Sequence, residues 1–237
     1  AEQAVIDAQR CVPMPAAMSF EHGAAFPVVF GTSHIALWHR ARLQAGETLV
    51  VHGASGGVGL TAVAIGKQLG ATVIATASSP EKLEIARQQG ADHLINSSDE
   101  DVRARIKALT DGRGADVIYD PVGGDLFTAS LRSIAFEGRI LVIGFAGGTV
   151  PQIPANHLLV KNVDVIGVNW PAYAELNPEV MTASFRILLD WYLTGAIQPH
   201  ISATYPLEQA AAALNQVVTR TSTGRVVITA NGWNMRT

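Results

Sequence analysis

The residues with most chemistry to offer lie in the run VVHGASGGVG, Val50 to Gly59. Glycines at 56, 57 and 59 permit a tight turn in which backbone can approach a ligand closely. The stretch that follows, LTAVAIGKQLG, places Leu60, Val63, Ala64 and Leu69 at the spacing of one helix face and stops at Gly70. A helix starting here points free N–H groups and its positive dipole end at whatever sits over the turn, which suits a pyrophosphate. Ser55 and Val58 contribute backbone N–H groups whatever their side chains.

Leu49, Val50 and Val51 read as a strand buried on both faces, so the turn joins strand to helix. The dinucleotide fingerprint GxGxxG falls on Ala54, Gly56 and Gly59, with its first glycine replaced. The choice of dinucleotide turns on the end of the next strand, ATVIATA (71–77), where NAD-binding folds place an acid for the ribose 2′-OH. Here the chain reads Thr76, Ala77, Ser78, Ser79, with no carboxylate to repel a phosphate. Ser78 and Ser79 offer hydroxyls, and Lys82 a charge one turn into the helix, a set suited to the 2′-phosphate of NADP(H). The plainer alternative is that the serines cap the helix and Lys82 is a solvated charge.

The elements that must position these residues follow in order. Ser19, with His22 at N3, caps a short alanine-rich helix that Pro27 interrupts, and Val28 to Arg42 is a helical pattern ending at Gly46. After the central strand and helix, Ser78, Ser79 and Pro80 begin EKLEIARQQ, and His93 to Asn96 is a short third strand. Ser97 or Ser98 caps DEDVRARIKALT. Strands are expected at 115–120, 139–148 and 163–170, with a proline-marked crossover, PQIPANHLLVKN, before the last. Repeated strand-helix alternation predicts an α/β fold: a doubly wound six-stranded parallel (Rossmann) sheet in the order 3-2-1-4-5-6. Asp120, Val122, Gly144, Phe145 and Asn169 then fall at the carboxyl ends of strands, the edge where such sheets bind ligands. Asn177-Pro178 starts a helix to about Leu193, and the tail, read as strand, helix and strand, lies outside the sheet.

Composition limits the alternatives. At 237 residues, 48% hydrophobic and 16% charged, the chain can bury a large core. A net charge of −3 supplies no footprint for nucleic acid or anionic membrane, and no apolar run reaches the roughly 18 residues of a bilayer span. Cys11 is the only cysteine, which excludes an intrachain disulfide and a cysteine-rich zinc site and fits a reducing, cytoplasmic setting. The opening AEQAVIDAQR lacks the charged-then-apolar form of a leader. Ser33 and Ser55 have no nucleophile-elbow setting, which argues against a hydrolase.

GETLVVHGASGGVG, SSPEK, VIYDPVGG and LVIGFAGG, in that order, resemble the medium-chain dehydrogenase/reductase superfamily, in particular its zinc-independent NADPH:quinone oxidoreductase branch. GAIQPHISATYPLEQAAAAL and TGRVV resemble that family's return into its catalytic domain. On this resemblance, residues 1–20 are a remnant of an N-terminal GroES-like catalytic domain, 21–196 the dinucleotide-binding domain and 197–237 the return segment. The resemblance also implies that Thr32, otherwise an ordinary mid-helix hydroxyl, contacts the nicotinamide carboxamide and that a lysine at the place of Lys82 marks NADP binding; the position of Phe145 fits either simple core or a wall beside the nicotinamide. The zinc alcohol dehydrogenases carry a metal-binding cysteine where this chain has Val28, and His22, His34 and His39 lack partners at ligand spacing, so no metal is expected.

The activity so implied is metal-independent hydride transfer from NADPH to a quinone or other conjugated carbonyl, a small-molecule substrate. No catalytic acid is identified. Two alternatives stand beside it: a nucleotide-binding module or fragment that binds NADPH without turnover, and an enone or enoyl-thioester reductase of the same superfamily. The last strand, with apolar Val165, Ile166 and Val168 at a sheet edge, predicts a homodimer paired through the strand around Ile166.

Overall fold

The computed structural model describes residues 5–8 and 11–230. Its elements, in chain order, are α1 (Phe20–Ala25), α2 (Pro27–His34), β1 (Thr48–Val51), α3 (Gly57–Gln68), β2 (Thr72–Ala77), α4 (Pro80–Gln88), β3 (His93–Asn96), α5 (Val102–Leu109), β4 (Ala115–Asp120), α6 (Gly124–Ser133), β5 (Ile134–Val142), α7 (Ala155–Lys161), β6 (Asp164–Gly167), α8 (Tyr173–Leu176), α9 (Pro178–Leu193), β7 (Ile201–Pro206), α10 (Ala210–Val218) and β8 (Arg225–Thr229). Parts of the expected N-terminal remnant (1–4, 9–10) and of the return segment (231–237) lie outside the described residues.

Parallel pairing gives a six-stranded sheet in the order β3-β2-β1-β4-β5-β6, as the alternation predicts. Period-two alternation sorts the strand side chains into two cores. Leu49, Val51, Val73, Ala75, Val117 and Tyr119 face α2, α3 and α9, whereas Val50, Ile74, Ile95, Ile118 and Ile140 face α5 and α6. All four β1 side chains are buried, and each such aliphatic residue contributes about 1.5–3 kcal/mol by leaving water. β7 and β8 form a separate two-stranded parallel sheet, so the tail does lie outside the main one.

Local chemistry sets the boundaries. The Ser19 hydroxyl accepts from the His22 N–H at 3.2 Å and starts α1, and Ser79 caps α4 with Pro80 in its first turn. The cap of α5 differs from expectation. Asp101, not Ser97 or Ser98, accepts from the Ala104 N–H at 3.0 Å, because Glu100 folds back onto the Asn96 N–H and closes a separate turn. The helix expected over Val28–Arg42 is α-helical only to His34 and continues as a π-helix over Ile35–Arg40, where Ile35, Ala36 and Leu37 are all buried. β5 begins earlier than expected and ends at Val142, leaving Gly144 and Phe145 in the loop beyond, and its register shifts between Ala115 and Val117 of β4. β6 is confined to Asp164–Gly167 because Trp170-Pro171-Ala172 forms a 3-10 turn.

Candidate cofactor site

The turn after β1 is built by glycine in two different ways. Gly53 adopts φ +57°, and its carbonyl accepts from the Gly56 N–H at 3.0 Å. A side-chain carbon at Gly59 would run into that carbonyl and into Ala54, so Gly59 is what lets α3 sit down on the turn. Gly56 is different: its added carbon would meet only the Gly53 oxygen, at an ordinary 3.4 Å. Gly57 faces Val29, Gly224 and Arg225. No side chain caps α3, and a helix start of this kind suits an anion, although Gly56 pairs with Gly224 of the chain's tail across it.

Four of the other expected residues are brought together at the ends of β4 and β5. Asp120, buried at the end of β4, accepts from the N–H groups of Val122 and Gly123 at 2.7 and 2.9 Å. That turn is zipped to the loop after β5 by bonds from Ala146 N–H to Pro121 O (3.0 Å) and from Gly147 N–H to Val122 O (2.8 Å). Asp120, Val122, Gly144 and Phe145 are thereby held together, with Phe145 half in solvent. Thr32 is half-buried on α2, and Asn169 is exposed just past β6. The adjoining Trp170 indole lies against Gly31, beside Thr32.

At the end of β2, Ser78 is exposed, while the Ser79 hydroxyl accepts from the Lys82 N–H at 3.4 Å. Thr76–Ser79 carry no carboxylate, but one stands two residues on. The Glu81 carboxyl bonds to the Ser79 side chain, which holds it below the usual carboxylate range. The Lys82 ammonium donates to the Arg220 carbonyl at 2.9 Å, and the Arg220 guanidinium donates to Ala146 O at 2.7 Å. Gly224 N–H donates to Ser55 O at 2.8 Å, so residues 220–225 cross the edge as a strap. Arg225, with its Nε buried and unpartnered, stands beside Gly57. Nothing in the sequence marks either arginine as part of the site. The glycine in TGRVV was the one local signal, and which turn it meets is set by tertiary folding.

Behind the edge the polar groups are spent internally. His52 touches Thr76 Oγ1 at 3.0 Å and Ser130 Oγ at 2.9 Å. Ser130 gives its proton to Leu126 O, so His52 donates from Nε2 and accepts at Nδ1. Burial lowers the His52 pKa, against a weaker upward pull from Asp120. His34 is buried, bonds Ser184 and stacks on Trp38, and burial lowers its pKa to about 4. His22 bonds Tyr192 at 2.9 Å, and His39 packs edge-on against Tyr173.

A doubly wound sheet whose glycine turn opens an uncapped helix at the carboxyl edge is the architecture of nucleotide-binding α/β domains. The zinc-binding dehydrogenase family profile matches residues 57–186. Bovine quinone oxidoreductase-like protein 2 is 41% identical over 229 residues, covering 96% of this chain and 66% of the relative. The quinone oxidoreductase of Pseudomonas syringae pv. tomato superposes with a TM-score of 0.85 at 34% identity, covering 92% of this chain and 67% of that one. Escherichia coli quinone oxidoreductase complexed with NADPH superposes with a TM-score of 0.85 at 29% identity, covering 93% and 68%. The chain belongs to the zinc-binding dehydrogenase family of medium-chain dehydrogenases/reductases, in its quinone oxidoreductase-like branch. It spans 63–66% of the length of the quinone oxidoreductase-like protein 2 relatives.

The donors of this stretch do not suit the metal in the family's name. Among the described residues no three His, Cys, Asp or Glu side chains gather as a metal site, Val28 stands half in solvent at the start of α2, and Cys11 is exposed. Nor is any described helix long and apolar enough to cross a membrane.

Proposed function

We propose that this chain is the cofactor-binding part of an NADPH-dependent oxidoreductase that transfers hydride, without a metal, to a quinone or other conjugated carbonyl. The observation that carries the reading is the uncapped α3 N-terminus over an open Gly56, with Lys82 and Arg220 converging at one end of the same edge. In it, the N–H groups of Gly57, Val58 and Gly59 take the pyrophosphate, aided by Arg225. Ser78, Ser79, Lys82 and Arg220 face the 2′-phosphate. Thr32, Asp120, Val122, Gly144, Phe145 and Asn169 surround the nicotinamide. The cofactor supplies the hydride, and the protein's part is to orient the ring and exclude water. Residues 21–196 form the dinucleotide-binding domain and 197–237 a return into a second domain.

The relatives' names favour a quinone acceptor over an enone or enoyl thioester. The reading is tested by titrating the chain with NADPH and NADH. NADPH should bind at least about tenfold more tightly, about 1.4 kcal/mol. Lys82→Ala should weaken NADPH more than NADH, since the 2′-phosphate loses a partner that NADH never had, whereas the Arg220 carbonyl loses its partner with either cofactor. Equal weakening of both would refute the assignment of Lys82. Binding without turnover of any quinone or enone by the full-length protein would favour the module alternative.

A further inference from the structure

Three hydroxyls with no place in the cofactor contacts above meet in the core beneath α2. Tyr119, on β4, is wholly buried and its phenol lies 2.9 Å from Ser33 Oγ on α2. Ser33 Oγ lies 2.8 Å from Thr61 Oγ1 on α3 and 2.9 Å from the Val58 carbonyl. Thr61 reaches back to the Val29 carbonyl of α2 at 3.0 Å. Proton counting gives the cluster a direction. Ser33 has the Val58 carbonyl to donate to, which leaves its oxygen to accept from the Tyr119 phenol, whose ionisation burial pushes up. Ser33 then donates to Thr61 or to Val58 O, and Thr61 donates to Val29 O. Sheet, phosphate-binding helix and the helix carrying Thr32 are thus tied by one chain of buried bonds.

The two helices do not depend on it equally. α3 is seated by the close approach of Gly59 to Gly53 and Ala54, which no hydroxyl supports. α2 loses its α-helical register immediately after His34, where the π-helix begins. Two buried polar anchors stand at that change: Ser33, which ties α2 to α3 and β4, and His34, which bonds Ser184 of α9 at 2.8 Å.

We infer that Tyr119, Ser33 and Thr61 are positioning residues that hold Thr32 in register with the phosphate-binding turn, and so set the nicotinamide end of the site rather than its adenosine end. The inference rests on the cofactor reading above.

The test compares two ligands on the same chain: NADPH, and 2′,5′-ADP, which keeps the adenosine phosphates but has no nicotinamide. Tyr119→Phe removes one oxygen and no volume that packs. It should weaken NADPH about tenfold while leaving 2′,5′-ADP within about twofold. Ser33→Ala should show the same split, which keeps the test available if the tyrosine variant fails to fold. Thr61→Ser, which retains the hydroxyl, should match the parent chain. Parallel weakening of both ligands would mean the cluster only stabilises the fold, and unchanged binding of both would mean it has no positioning role; either result overturns the inference. A parent chain that binds neither ligand would refute the cofactor reading itself, a result distinct from both.

Discussion

Replacing Gly56 and Gly59 separately with alanine should part binding from folding, because the two glycines lie three residues apart in one turn and serve different ends. At Gly56 the backbone has φ −78° and ψ 172°, which any L-residue adopts, and the new carbon would meet only Gly53 O at 3.4 Å. Alanine there costs about 0.5–1 kcal/mol as a poorer helix cap. It recovers about 0.4–1 kcal/mol by restricting the unfolded chain. Stability should therefore change by less than about 1 kcal/mol. The same methyl projects into the space over the turn where a phosphate must reach the first N–H groups of α3, and losing those bonds at about 2 kcal/mol weakens NADPH about thirtyfold. At Gly59 the added carbon collides with backbone, which cannot rotate away. Lifting α3 off the turn should cost at least the 1–3 kcal/mol typical of overpacking, about that much in urea unfolding. Urea denaturation and NADPH titration of both variants supply the readout. A Gly56→Ala chain that binds NADPH normally, or one that is as destabilised as Gly59→Ala, would refute the division of roles.

His34 titrates at about 4 against an ordinary 6.5 because burial disfavours its charged form, so between those pH values the unfolded chain binds a proton that the folded chain refuses. Stability should fall as pH drops through that window, by up to about 3 kcal/mol; His52 is shifted in the same direction, so His34→Gln should reduce the slope without abolishing it, and an unchanged slope in urea unfolding at pH 7 and pH 4.5 would refute the assignment. For self-association, β6 pairs with β5 on one side and has no strand on the other among the described residues, so sedimentation should give a discrete doubled mass that Ile166→Lys reduces to a monomer with NADPH binding kept. A monomeric parent chain, or a dimer indifferent to that change, would count against the edge-strand interface.

How much of this was legible in the sequence depends on the range of the interaction. The strand order follows from alternation, and the Ser19 and Ser79 caps from residues within three positions of the N–H they serve. Such contacts are written locally. The π-helix is not, since VVFGTSHIALWHRAR reads as ordinary helix and the wider turn goes with burying Ile35, Ala36 and Leu37 together. The Asp101 cap is not legible, because Ser97, Ser98 and Asp101 are all competent caps and Glu100 reaching back to Asn96 decides between them. The Glu81 contact with Ser79 is local too, two residues along, but it forms only once the helix has started. Of the site, the glycine turn and the strand-end loops are legible; the strap is not, since Arg220 is 138 residues from the lysine it meets.

That strap alters the energetics of the cofactor choice. A lysine waiting free in solvent would gain the whole of a charge-assisted bond to a 2′-phosphate, about 1.5–3 kcal/mol. Here Lys82 already donates to the Arg220 carbonyl, and Ser79 already engages Glu81. A phosphate must exchange with these bonds or draw the strap along with it, so the net gain is the difference between two polar contacts. On that argument the preference for NADPH over NADH should be nearer tenfold than a hundredfold. It also makes binding and strap docking linked events: whatever holds Gly224 on Ser55 also sets where Arg220 can stand. Arg220→Ala should then reduce NADPH affinity while leaving Lys82 its carbonyl partner, because the backbone it donates to is still there. A variant in which NADPH and NADH lose affinity equally would mean that the strap shapes the turn rather than the phosphate end.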